Sequence, residues 1–247
     1  MKKIHINYAA LGTNHAHNNV NGGYFNAQKI NSQTAKDIGG FDESVNYNLN
    51  SLSKEFLEKH QQHFLYTRGA GYWVWKPYII LNHVKNMNTD DILMYTDSGC
   101  HFINKITPLF NILEQTTNKV LVFNLSQIEK DWTKRDCFKK LNCDTVEYTD
   151  SKQIMSTFFV CKKNDFSINI LEQWYKQISD LHMVADEYVS PSIEQNYNSF
   201  REHRHDQSLL SLISKINKVD TLEDITEWGD PIKRGIPQII RHTRKRD

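Results

Sequence analysis

The sequence predicts an α/β fold, a sandwich with a mostly parallel central sheet, and three observations carry that expectation. Ile92-Leu93-Met94-Tyr95-Thr96 is a short, largely apolar run of the kind a strand buried on both faces shows. From Phe166 to His182, the residues Ile170, Leu171, Trp174, Tyr175, Ile178 and Leu181 form one helical stripe. Strand-like and helix-like stretches then alternate along the chain, as a parallel sheet with crossover helices requires.

Taken in order, the first 50 residues are rich in Asn, Gly and His, with NNVNGG at 18–23 and GGF at 39–41, so they predict turns and one opening strand, Ile4 to Ala9. Pro77 reads as a first-turn proline opening a helix through Ile80, Leu81, Val84 and Met87, which NMNTDD breaks. The strand from Ile92 follows. Pro108 starts a helix through Leu109, Ile112 and Leu113, and Val120-Leu121-Val122-Phe123 is the next strand. Thr133 or Asp131 caps a short helix whose apolar face is Phe138 and Leu141. Thr157-Phe158-Phe159-Val160-Cys161 is a third core strand, the Phe166–His182 helix comes next, and a last helix after Asp206 carries Leu209, Leu212, Ile213 and Ile216.

Composition bounds what this sandwich does. The 247 residues are 39% hydrophobic and 24% charged, a globular balance, and neither an internal repeat nor a linker-like tract divides them, so one domain covers 1–247. Thirty Lys+Arg nearly cancel 29 Asp+Glu, and a net charge of +1 gives no bulk attraction to nucleic acid. Cys100, Cys137, Cys143 and Cys161 are too scattered for a disulfide framework. The start MKKIHINYAALG lacks the apolar core of a signal peptide, and no apolar run approaches a membrane span, so a soluble cytoplasmic protein is expected. The oligomeric state is left open.

Four segments are candidates for chemistry. Asp97-Ser98-Gly99 follows the carboxyl end of a buried strand, where ligands bind in open α/β sheets; the same three residues also read as a simple turn. Arg68-Gly69-Ala70-Gly71-Tyr72-Trp73-Val74-Trp75-Lys76-Pro77 holds three aromatics and two cations in ten residues; each Trp alone reads as a core anchor, the segment as a whole as a site in which Arg68 and Lys76 neutralise phosphate. In His203-Arg204-His205-Asp206-Gln207, Asp206 reads as a helix cap, and the two histidines share one face of an extended segment as metal ligands or as hydrogen-bonded structure. His15 and His17 read as a solvated pair. Trp132-Thr133-Lys134-Arg135-Asp136 reads by itself as a surface face, and Asp90-Asp91 as a turn at the wrong end of the sheet for a ligand. Neither a P-loop, a Gly-x-Gly-x-x-Gly fingerprint nor a Gly-x-Ser-x-Gly elbow is present.

In this order and at these distances, Gly71-Tyr72-Trp73-Val74-Trp75-Lys76-Pro77-Tyr78, Ile92 to Gly99, Trp132 to Asp136 and His203 to Ser208 resemble a small family of glycosyltransferases with the GT-A nucleotide-diphospho-sugar transferase fold. The resemblance spans residues 60 to 215. It implies a three-layer α/β/α sandwich and a sugar moved from a nucleotide diphosphate donor, a UDP-sugar, to a hydroxyl acceptor such as a glycan. It also implies that Asp97 faces the donor's pyrophosphate through a divalent cation, manganese, although this chain has one carboxylate in Asp97-Ser98-Gly99 where such enzymes carry two. His203, His205 or His242 would complete the metal shell, or cations such as Arg68, Lys76, Arg241 and Arg244 would replace it. Arg68, Gly71, Tyr72, Lys76, Ser98, Gly99, Lys134, Arg135 and Gln207 would line the donor site, with the basic segment 230–247 covering it. Asp206 would be the sugar-side carboxylate, orienting donor hydroxyls or deprotonating the acceptor, with Asp186 and Glu187 as rival bases. Two other readings are a metal-dependent hydrolase using His15, His17, His203, His205 and Asp206, and a non-catalytic sugar- or nucleotide-binding module.

Overall fold

A computed structural model describes residues 1–10 and 24–242. Six strands, β1 (Lys3–Tyr8), β2 (Glu43–Tyr47), β3 (Ile92–Thr96), β5 (Val120–Ile128), β6 (Lys152–Lys162) and β7 (Asp220–Glu223), form one sheet in the order β2-β1-β3-β6-β5-β7. Five run the same way, and β6 alone is antiparallel to its neighbours β3 and β5. Two further short strands, β4 (His101–Phe102) and β8 (Ile240–Arg241), pair with each other.

The alternation of side chains along each strand builds two cores. On one face Ile4 and Ile6, Leu93 and Tyr95, and Phe159 and Cys161 pack under the helices α2 (Trp75–Asn86), α4 (Asp165–Ile178) and α5 (Asp206–Ile216). On the other, Ile92 and Met94, Leu121 and Phe123, and Phe158 and Val160 pack against Leu109, Phe110 and Leu113 of α3 (Thr107–Gln115) and against Ile239 and Ile240. Helices on both faces make the three layers expected. At about 1.5–3 kcal/mol for each large apolar side chain fully buried, these two cores hold the sheet.

Two parts of the sequence reading need correction. Residues 24–34 and 43–47 are not turns: they form α1 (Tyr24–Thr34) and the edge strand β2, while the chain does turn at Gly40 and NNVNGG at 18–23 lies outside the described residues. The face α1 buries is polar, with Gln28, Asn31 and Ser32 turned inward, so no apolar period marks it. Asn7 donates to Asn31 at 2.6 Å and to Ser32 at 2.9 Å, Gln28 donates to Asn7 at 2.9 Å, and Asn31 reaches Thr96 and the Cys100 carbonyl at 2.9 Å each. The long helix also stops at Ile178, short of His182, because Asp180 turns the chain and caps a separate turn, Leu181–Val184, by accepting from the His182 N–H at 3.1 Å. Its start is fixed by a capping box between Asn164 and Ser167.

Candidate active site

The strand β3 ends at Thr96, and the next residue, Asp97, donates its N–H to the Thr157 carbonyl of β6 at 3.0 Å. Its side chain therefore leaves the sheet at the carboxyl end of a central parallel strand. Ser98 pins this turn to β1 by donating to the Tyr8 carbonyl at 2.5 Å, and Gly99 completes it.

Two helix starts converge on the same point. Lys76, in the first turn of α2, places Nζ 3.1 Å from Asp97 Oδ1 and 2.6 Å from Oδ2 of Asp206, which opens α5. The ammonium also donates to the backbone and side-chain oxygens of Ser156 at 3.4 Å each. Lys76 and Asp206 are buried, whereas the Asp97 side chain is 33% exposed. Burial disfavours the Lys76 charge, yet the two carboxylates outweigh it and its pKa stands above the ordinary value, so the amine stays an ammonium. Burial raises Asp206, while Lys76 opposes the shift. Tyr95, two residues before Asp97 and so on the same strand face, donates to Asp97 Oδ1 at 2.6 Å. Both protein contacts of Asp97 fall on Oδ1. The side chain open to a ligand is thus a carboxylate whose orientation is fixed by Tyr95 and Lys76.

Beside this triad the backbone is strained. Gly69, Ala70, Gly71, Tyr72 and Trp73 all have positive φ (58°, 49°, 95°, 52° and 57°). The Tyr72 N–H donates to the Arg68 carbonyl at 2.8 Å and the Trp73 N–H to that of Gly69 at 3.1 Å, a left-handed helical turn. The indole of Trp75 closes it by donating to the Gly69 carbonyl at 2.9 Å, and the Trp75 ring stacks on Tyr8 at 3.7 Å. His205, the residue before Asp206, sits at φ 55°, ψ −121°. Its Nδ1–H donates to the Val184 carbonyl at 2.8 Å, and its Nε2 accepts from Arg68 Nε at 2.9 Å. That tautomer is neutral, in keeping with burial holding its pKa down at about 4.

The structure thus joins Asp97, Lys76 and Asp206; Ser98 and Gly99 continue the chain from Asp97, Gly71 and Tyr72 belong to the left-handed turn before Lys76, and Arg68 reaches His205 and Asp186. Other expected residues have different partners. Asp206 does not cap α5: its side chain meets Lys76 instead of a backbone N–H. His203 accepts from the Lys134 N–H at 3.2 Å and donates to the Met183 carbonyl at 2.9 Å, so both ring nitrogens of His203, like both of His205, are engaged by protein groups. His242 donates its backbone N–H to Glu227 at 3.0 Å. Lys134 is buried and donates to the carbonyls of His182 at 2.7 Å and Ser190 at 3.1 Å, and Arg135 pairs with Asp144 at 3.1 Å. These two cations hold the segment 180–196 and its neighbourhood. Gln207 donates to Gln153 at 2.7 Å, and Gln153 in turn to the buried Glu129 at 3.0 Å. In the basic C-terminal segment, Arg234 is buried and donates to the Thr226 carbonyl at 2.8 Å, and β8 lies beside β4, just beyond Asp97. Arg244, with His15 and His17, lies outside the described residues. Sequence reasoning did not single out Tyr95 or Ser156; strand alternation marks Tyr95, but no pattern marks Ser156.

Among the described residues no three or more His, Cys, Asp or Glu side chains converge on a metal-sized position. Asp97 presents an open carboxylate, whereas the ring nitrogens of His203 and His205 are taken, and one carboxylate fits a divalent cation only together with phosphate oxygens and water brought by a substrate.

The mostly parallel sheet between helices, with the starts of α2 and α5 at the carboxyl end of β3, is a GT-A-like fold. The chain is similar to mouse xyloside xylosyltransferase 1 over 97% of its own length and 97% of that chain, with a TM-score of 0.51 and 12% identity. It is similar to a glycosyltransferase involved in the glycosylation of the major capsid of PBCV-1 over 98% of its length and 94% of that chain, with a TM-score of 0.50 and 9% identity. No family model and no curated protein matches the sequence. Among the described residues no helix is long and apolar enough to cross a membrane.

Proposed function

We propose that this chain is a glycosyltransferase that moves a sugar from a nucleotide diphosphate donor, a UDP-sugar, to a hydroxyl acceptor. The observation that carries this reading is the triad at the carboxyl end of β3, in which buried Lys76 binds Asp97 and Asp206 together. Asp97 faces the donor as the exposed member. Asp206, fixed by Lys76, is the sugar-side carboxylate that accepts from a donor hydroxyl. Manganese belongs to the proposal only through Asp97 and the donor's own oxygens; when bound it would stabilise charge on the departing diphosphate. A hydrolase built on His203 and His205 finds less support, because hydrogen bonds occupy all four ring nitrogens.

Calorimetric titration with UDP and manganese, joined to a screen of UDP-sugars for UDP release, tests the proposal. Wild type is expected to bind UDP and to turn over at least one UDP-sugar. Asp97→Ala is expected to weaken UDP binding, and Asp206→Asn to lower turnover by about 100-fold, the lower range for a positioned catalytic group. Wild type that neither binds UDP nor releases it from any donor would sink the reading.

A further inference from the structure

Arg68 and Tyr72, expected at the donor site, take their side-chain partners from a second polar group, which centres on Asp186 and reaches Asp206 through His205. Tyr72, wholly buried, donates its hydroxyl to Asp186 Oδ2 at 2.9 Å. The other oxygen, Oδ1, has Arg68 Nε and Nε2 of the neutral His205 ring at 3.6 Å each, beyond hydrogen-bond reach, so a nearly enclosed carboxylate oxygen faces one cation without a short bond to it. The Asp186 side chain is 10% exposed and that of Arg68 31%, so the pair opens on one side. There stands Tyr188, 74% exposed as a whole, its phenol pKa raised first by the partial burial of the hydroxyl and then by hydrogen bonding to the Asp186 carboxylate.

Strain converges on this group from two directions. The left-handed turn supplies Tyr72 and Trp73, and a non-glycine residue in that conformation costs about 1–2 kcal/mol. His205 supplies the second strained position, and Trp73 stacks on its ring at 5.2 Å and 19°. Such strain persists where the surroundings over-determine it, and it collects at ligand clamps. Here it holds Arg68, Tyr72 and Asp186 in one fixed array, one peptide away from Asp206.

We propose that this array is the acceptor subsite and that its ligand is a neutral pyranose; the inference rests on the glycosyl-transfer reading above. Asp186 and Arg68 cancel in charge, which selects against an ionic ligand and leaves a hydrogen-bond acceptor beside a planar donor, the pair that adjacent sugar hydroxyls satisfy. The exposed Tyr188 ring offers an apolar face for the C–H side of the sugar. Asp186 Oδ1 accepts from one hydroxyl and Arg68 donates to the next.

Saturation-transfer NMR with methyl β-glucopyranoside, methyl β-galactopyranoside and methyl β-xylopyranoside tests this on wild type, Asp186→Asn and Tyr188→Ala, with UDP affinity measured in parallel by calorimetry. Wild type is expected to bind at least one glycoside, and both variants to bind it about tenfold or more weakly while the Kd for UDP changes by less than about twofold. Tyr188 is a surface residue, so its variant tests the site free of any folding defect. Wild type that binds none of the glycosides, or Tyr188→Ala that binds as wild type does, overturns the subsite. Glycoside binding without UDP binding would instead keep the subsite and refute the donor reading.

Discussion

Lys76 holds two carboxylates that would otherwise repel each other inside the protein, so its removal is felt at both. In Lys76→Met the apolar stem still fits, but Asp206 is left buried with its charge uncompensated. Breaking a buried pair in this way costs about 3–5 kcal/mol. Asp206 is already held above its ordinary value of 3.8 by burial, with Lys76 opposing. Without Lys76 the folded-state value rises further above the unfolded one. A carboxyl of that kind favours the folded state below the unfolded pKa, and the benefit is lost as pH rises through the folded pKa. Lys76→Met is therefore expected to melt well below wild type at pH 7 and to recover part of the gap as pH falls toward 4; a gap that stays constant with pH would contradict the ion-pair account. All three members were legible in the sequence as motif residues. Their mutual contact was not, because Lys76 was expected to face phosphate and only the packing of α2 against β3 shows it between carboxylates.

Among the elements, the left-handed turn depends most narrowly on residue type. A Cβ on Gly69 would lie 2.2 Å from the Trp73 ring, and one on Gly71 would lie 3.1 Å from Phe64, both at positive φ. Gly69→Ala is therefore expected to displace Trp73 from His205, to lower thermal stability by about 1–3 kcal/mol, and to cut donor turnover by more than that loss explains. Near-wild-type turnover in the Ala variant would show that the turn does not position the site. The sequence showed that this segment was unusual through its aromatics and glycines, yet left-handed geometry has no period to detect. The same limit hid α1, whose buried face of Gln28, Asn31 and Ser32 makes hydrogen bonds in place of apolar contacts. Where burial is apolar, as in β3 and α4, the continuous apolar run and the helical stripe place the elements to within a few residues.

At the scale of the molecule, Trp132 to Asp136 does work that its surface-like composition conceals: it fastens the segment from 180 to 204, which carries Asp186 and leads into His205. Asp136 is the centre of that fastening. Its carboxylate accepts from the N–H groups of Ile193 and Glu194 at 2.8 Å each and pairs with His182 at 2.7 Å. Lys134 reaches the carbonyls of His182 and Ser190, and the Trp132 carbonyl accepts from the Arg204 N–H at 2.9 Å. Burial raises the Asp136 carboxyl, but the two N–H groups and His182 outweigh it and leave the pKa below the ordinary 3.8. A depressed carboxyl contributes stability above its unfolded pKa and loses it as pH falls through the folded value, so the fastening is expected to hold at neutral pH and to release below about 3.8. Asp136→Asn should imitate that release at pH 7. A charge-assisted hydrogen bond is worth about 1.5–3 kcal/mol, and each 1.4 kcal/mol is tenfold in an opening equilibrium. Amide hydrogen exchange in 181–196 is therefore expected to quicken by about tenfold or more in Asp136→Asn while β3 and β6 keep their protection. Equal acceleration throughout the sheet would mean that Asp136 supports the whole fold and not one segment, and the view of Trp132 to Asp136 as a brace for the segment that carries Asp186 would have to be abandoned.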